Sequence, residues 1–355
     1  MATTSPNPQS EKTGIANLHD DHLPLSKSLW RDSFERLIRN RLAMIGMIVI
    51  ILNILMAVFA SSIAPHSYSK QNLLQTNAAP QWVIDLFPTM RAQGTEGGYV
   101  RVVDAEEFPL GTDPLGRDLL SRIIYGARVS LAVAFVGPLF ATAIGLTLGL
   151  IAGYFGGRID DLIMRIVDTL YAFPTLLVII LMMAYFRSGA FAAAEAQGTL
   201  GGFLYQADRS IGGMLFIFIG IGITSWLGLA RLTRGQVLSV RENEYILAAR
   251  AQGASRLQII TKHVLPNIMG PLIVAETLTI PGYISSEAFL SFIGLGVSPP
   301  TPSWGQMISD GSQYISSYPH EAIFPALALF FVMFAFNFLG DGLRDAFDPR
   351  LRGVD

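Results

Sequence analysis

Cysteine is missing from all 355 residues, which excludes disulfides and thiolate metal ligands. Lysine is nearly missing too: Lys12, Lys27, Lys70 and Lys262 stand against 21 arginines. None of the four follows a glycine, so the Gly-Lys-Ser/Thr core of a phosphate-cradling loop cannot be built. If this chain works with ATP, another chain must hydrolyse it. Charge is scarce as well, at 15% of residues. Soluble domains carry about 25%, so the deficit points to lipid as the solvent. The net charge of −2 gives no basis for binding nucleic acid.

What the chain has in plenty is apolar length. A helix crosses a bilayer with about 20 mostly apolar residues, and six stretches qualify: 42–63, 129–153, 164–186, 212–233, 267–290 and 322–343. The fold class expected is therefore all-α and polytopic, with six transmembrane helices. The first 41 residues are polar and hold no short apolar core, so a cleavable signal peptide is not expected. Residues 1–28 read as a disordered tail, and 29–64 as an N-terminal segment with the first span. An external loop follows at 65–128, then the main core at 129–345, then a short tail at 346–355.

Basic residues set the orientation. With the N-terminus inside, 17 Lys and Arg fall on the inner side and eight on the outer. Arg117, Arg122 and Arg128 are exceptions, lying on the outer side close to a span. Asp113 followed by Pro114 suits a helix start. Leu115, Leu119, Leu120, Ile123 and Ile124 would then share one face of an amphipathic surface helix, with the arginines snorkelling.

The longest inner loop, 234–265, contains "EYILAARAQGAS". Residues 242–252 are good helix formers, Gly253 suits a left-handed helix end, and Ser255 with Gln258 spells a capping box. Pro266 would mark the turn into the fifth span. Ala248, Ala249 and Ala251 leave one side of the first helix bare. Such a face suits docking into a groove of another protein, with Tyr245 and Leu247 as anchors and Arg250 facing an acid. It equally suits helix formation and packing against the chain's own spans.

The stretch "ENEYILAARAQGASRLQIITKHVLPN" resembles the cytoplasmic coupling loop of membrane subunits of bacterial ABC importers. Ala249, Gly253, Leu265 and Pro266 keep that loop's spacing, whereas Leu247 stands where its glutamate is usual. "SLWRDSFERLIRNRLAMIGMIVI", "LGTDPLGRDLLSRIIYGARVSL" and "SSEAFLSFIGLGVSPPTPSWGQMI" narrow the resemblance to the C-type permease subunit of oligopeptide and dipeptide importers. It spans most of the chain. The resemblance implies a type I importer transmembrane domain in a bacterial inner membrane, with both termini cytoplasmic. Its partners would be a second permease, two ATPase subunits holding ATP and Mg, an extracytoplasmic binding protein and a peptide cargo. No cofactor or metal is expected on this chain. Contact with the ATPase would involve Glu244, Tyr245, Ala248, Ala249, Arg250, Gly253 and Ala254, with Leu265 and Pro266 closing the motif. Nickel chelates, glutathione or another small solute are alternative cargoes.

Single residues add further expectations. Glu276 falls near the middle of the fifth span, where a charge costs about 2.5–3.5 kcal/mol or more. It either lines a wet route and meets a peptide's amino terminus, or is packed between subunits. Asp168 lies near the inner surface below Pro174, which would kink the third span, and a solvated or paired role is favoured over one beside the pathway. Pro300, Ser303 and Trp304 would contact the binding protein, form an outer gate or anchor the interface. Two rival classes remain. "FLGDG" at 338–342 partly resembles an intramembrane aspartyl protease motif, but Phe338 replaces its first glycine. An ion-driven secondary transporter would favour internal repeats, and none is evident.

Overall fold

The computed structural model describes residues 29–187 and 199–348, and the expected tails at 1–28 and beyond 348 lie outside them. Among the described residues the chain is helical with a few isolated β-bridges and no strand. Leu29–Arg39 (α1) leads through Asn40, whose side chain caps the next helix, into Arg41–Val58 (α2) and the short Ala60–Ile63 (α3). Gln81–Leu86 (α4) sits in the irregular cap of residues 64–118. Then come Leu119–Phe155 (α5), Gly157–Tyr171 (α6), Thr175–Phe186 (α7), Leu200–Ser210 (α8) and Leu215–Arg241 (α9). Glu244–Ala251 (α10), Arg256–Phe292 (α11), Trp304–Ser312 (α12) and His320–Phe347 (α13) complete the order. Five of these helices are long and apolar enough to span a bilayer. The pair α6 and α7, bent by 75°, makes a sixth if counted as one span.

Packing follows the small residues. Gly145, Gly149 and Gly153 recur every four residues along α5 and form a smooth ridge. A methyl group on Gly149 would lie 2.6 Å from the Ala230 carbonyl of α9. Close backbone contact of this kind is the usual glue of membrane helices. Elsewhere α13 packs on α2 and α11, and α11 packs on α5.

Two expectations need correction. The amphipathic helix within 65–128 does not form. Asp113 instead accepts from the amides of Leu115 and Arg117, both at 2.9 Å, and closes a tight turn through Gly116 at φ +67. The helix begins only at Leu119, capped by Asp118, and runs unbroken into the second span. The core boundary therefore moves from 129 to 119. The turn expected at Pro266 is also absent. Proline supplies no N–H to the preceding turn, and the backbone widens into π-helix at Ile259–Val264 and continues. A second widening, at Ala141–Leu146, follows Pro138 in α5. The kink expected at Pro174 is present, and the span at 164–186 breaks at Phe173–Pro174.

Arg117, Arg122 and Arg128 have structural duties. Arg117 pairs with Asp113 at 2.6 Å and Arg122 reaches the same carboxylate at 3.4 Å, all three side chains being buried. Arg128 donates to the carbonyls of Ala57 and Val58 at the end of α2, at 2.6 and 3.3 Å. Asp310 of α12 faces the cluster, where burial raises its carboxyl above the usual range against the pull of Arg122.

Candidate functional site

At the end of the bundle where the chain enters α2 and leaves α13, α10 stands on a seat made by α5, α9 and α11. Ile246 is 0% exposed and packs with Val237, Ile259, Val264 and Ile268. Leu265, half-buried, packs against the same cluster. On the other side Tyr245 is 43% exposed and Leu247 48%. Glu244, Ala248, Arg250, Gly253 and Pro266 are exposed as well, and Ala249 and Ala254 half-exposed.

Helical spacing places Tyr245, Ala248, Ala249 and Gln252 on one side of α10. With Gly253 and His263 they line a shallow depression of about 410 Å³. The corner beyond holds its shape through local bonds. Gly253 has φ +83, a conformation open to glycine at little cost, and the Ala254 amide donates to the Ala249 carbonyl at 3.1 Å. The Ser255–Gln258 capping box forms as expected, with both reciprocal bonds present. A second groove, of about 530 Å³, lies between the corner and the end of α5, lined by Tyr154, Phe155, Arg250 and Arg256. The α10 unit thus presents small side chains flanked by two concavities, on a short helix fixed to the spans.

α9 carries this unit, and ion pairs clasp α9 to its neighbours. Arg234 grips Asp160 of α6 with two bonds, at 2.5 and 2.6 Å. Arg241 donates to the Gly153 carbonyl at 2.8 Å. Asp168 is paired with Arg231 at 2.6 Å, whose guanidinium lies 4.1 Å from the Tyr171 ring centre. Asp168 therefore takes the paired surface role and does not line the cavity at Glu276. The Asp160–Arg234 clasp and the glycine ridge were not singled out in the sequence. The four-residue glycine spacing would have shown the second.

Midway along α11, Glu276 lines a cavity of about 160 Å³ whose walls come from α5, α9 and α11. It accepts a long bond from the Tyr283 hydroxyl, at 3.4 Å. Glu287, three turns on, is fully buried and accepts from Ser291 at 2.6 Å and Ser130 at 3.3 Å.

At the opposite end, the role expected of Ser303 and Trp304 is corrected. Both are 0% exposed. Ser303 caps α12, and the Trp304 indole donates to the Ile123 carbonyl at 3.0 Å while its ring fills the space over Gly126. A large ring with one donor is well housed where that donor finds a carbonyl. Of the three residues only Pro300 remains on the surface. The loop before it is tied down by Arg187, which bonds the Leu295, Gly296 and Gly213 carbonyls and lies 3.6 Å from Asp208. Burial pushes the Arg187 guanidinium below its ordinary range, opposed by Asp208. Of the Gly- and Ala-rich stretch 188–211, residues 200–210 form α8, while 188–198 lie outside the described residues.

Five helices long and apolar enough to cross a bilayer, a bent pair that makes a sixth if counted as one span, and a small-residue surface seated at one end define a polytopic helical membrane protein. Residues 145–353 match the family model described as binding-protein-dependent transport system inner membrane component. Residues 28–80 match the N-terminal TM domain of oligopeptide transport permease C. The chain belongs to the family of binding-protein-dependent transport system inner membrane components. It is 39% identical to the oligopeptide transport system permease protein OppC of Bacillus subtilis, over 92% of each chain. It is equally identical to that organism's dipeptide transport system permease protein DppC, over 92% of this chain and 88% of the relative. Among solved structures, inward-facing MetNI methionine ABC transporter matches 64% of this chain and 97% of its own, at 20% identity and a TM-score of 0.48.

Proposed function

We propose that this chain is one of two membrane subunits of an ATP-driven importer for short peptides, and that α10 is its coupling helix. The observation that carries this is the seat of α10. Ile246 anchors it in the span core while Tyr245, Ala248, Ala249, Arg250, Gly253 and Ala254 face away from that core. A short helix so anchored can pass a push from a docked partner into α9 and α11. The docked partner is an ATPase subunit, which supplies ATP and Mg because this chain has no phosphate loop. The names of the two Bacillus relatives support peptide as cargo. A binding protein delivers it at the cap, where Pro300 lies on the surface.

The charge pattern supports placing both termini and α10 in the cytoplasm of a bacterial cell. Lys and Arg concentrate at the α10 end. The arginines that break the rule at the other end are committed to Asp113, to helix carbonyls or to Asp208.

Reconstitution tests this directly. Proteoliposomes holding the chain with its second permease and ATPases should take up trialanine when supplied with binding protein and internal ATP. They should take up none when the ATPases are left out. Steady uptake by the chain alone, driven by an ion gradient, would mark a secondary transporter and end this account.

A further inference from the structure

Two carboxylates lie within the apolar length of α11, and the fold treats them differently. Glu287 is satisfied on both oxygens by serine hydroxyls. Glu276 keeps one long bond, to a tyrosine whose ring is wedged against Gly137, where an added methyl group would come within 2.4 Å of it. Otherwise Glu276 faces the cavity.

The lining of that cavity is mostly apolar, and its small polar part is one-sided. Leu229, Leu272 and Ile280 contribute apolar surface, Glu276 a carboxylate, and Thr142 and Thr277 hydroxyls. No lining residue is basic. Pro281, one turn further on, has no N–H for the Thr277 carbonyl. The opposite wall includes the π-widened turn at Ala141–Leu146. Irregular backbone at membrane depth is tolerated where it borders a cavity, and such widenings gather at functional sites. Acceptors and a potential negative charge without any cationic donor complement a ligand group that is cationic and donates hydrogen bonds. The volume of about 160 Å³ admits an ammonium group and the carbons next to it.

We infer that this cavity is a subsite for a primary ammonium group, the free amino terminus of a peptide in transit, with Glu276 as its counter-charge and hydrogen-bond acceptor. The inference rests on the peptide-importer function proposed above. An inorganic cation would use the same acceptors, so the test must separate the two.

The assembled importer is reconstituted with the parent chain, Glu276→Gln or Tyr283→Phe, and uptake of trialanine and N-acetyl-trialanine is measured at saturating peptide in sodium, potassium and choline buffers. Glu276→Gln is expected to lower trialanine uptake about tenfold or more, the scale of one charge-assisted hydrogen bond. The slower uptake of the acetylated peptide should not change. Tyr283→Phe keeps the ring against Gly137 and should lower trialanine uptake about threefold, the scale of one neutral hydrogen bond. Equal losses for both peptides would show a packing role and overturn the inference, as would unchanged trialanine uptake in Glu276→Gln. Uptake that follows sodium or potassium, and loses that dependence in Glu276→Gln, would assign the cavity to an inorganic cation and also overturn it. If the parent chain moves neither peptide, the peptide-importer function fails and the inference falls with it.

Discussion

Replacing Ala248 with tryptophan is expected to cut ATP-dependent uptake by about 100-fold, a cost of ~3 kcal/mol in seating a ring where a methyl group fits. Ala248 is exposed and lines the depression beside α10, while Ile246 holds the helix from the other side. The new ring therefore projects into the space reserved for a partner and leaves the span core untouched. Amount in the membrane and melting temperature should match the parent. Co-purification of the ATPase should fall together with uptake. Tryptophan at Thr261, exposed on α11 and absent from both grooves, is the control and should leave uptake within about twofold, as surface changes usually do.

The second large effect is expected at Asp113. Its carboxylate neutralises Arg117 and Arg122, and its oxygen Oδ1 also holds the turn that ends at Leu119. Asp113→Ala leaves two buried guanidiniums with that anion gone, and breaking a buried pair costs about 3–5 kcal/mol. Asp310 offers only partial relief, since burial already holds its carboxyl above the usual range. The variant should melt well below the parent in detergent, read by size-exclusion after heating. Asp113→Asn separates the two duties. It retains an oxygen for the turn but no charge, and should recover only a minor part of the loss. A melting temperature unchanged in both variants would show that the cluster does not hold the cap to the bundle.

These residues also mark where the sequence was legible. Apolar runs gave away the five long helices and the bent pair at 164–186, because a bilayer demands about 20 mostly apolar residues and little else in a sequence does. The capping box and Gly253 were readable because each rests on contacts within four residues. The reversal at Asp113 was misread, since an Asp-Pro pair starts a turn as readily as a helix. The decisive feature was Gly116, three residues on. Trp304 looked like an interfacial anchor because its partner, the Ile123 carbonyl, is 181 residues away. The two π-widenings sit beside Pro138 and Pro266, which signal a disturbed helix without telling a stop from a widening. Glu276 was conspicuous by its charge, but its difference from Glu287 depends on which serines lie within reach, a property of packing alone.

The central claim is that the alanine-faced side of α10 lies in the cytoplasm and seats another protein. A chain without cysteine makes this easy to ask, because Ala249→Cys introduces the sole thiol. A membrane-impermeant maleimide should label that thiol in inside-out vesicles, fail to label it in intact spheroplasts, and be blocked when the ATPase subunits are bound. Labelling in intact spheroplasts, or labelling in inside-out vesicles that bound ATPase leaves unchanged, would contradict it.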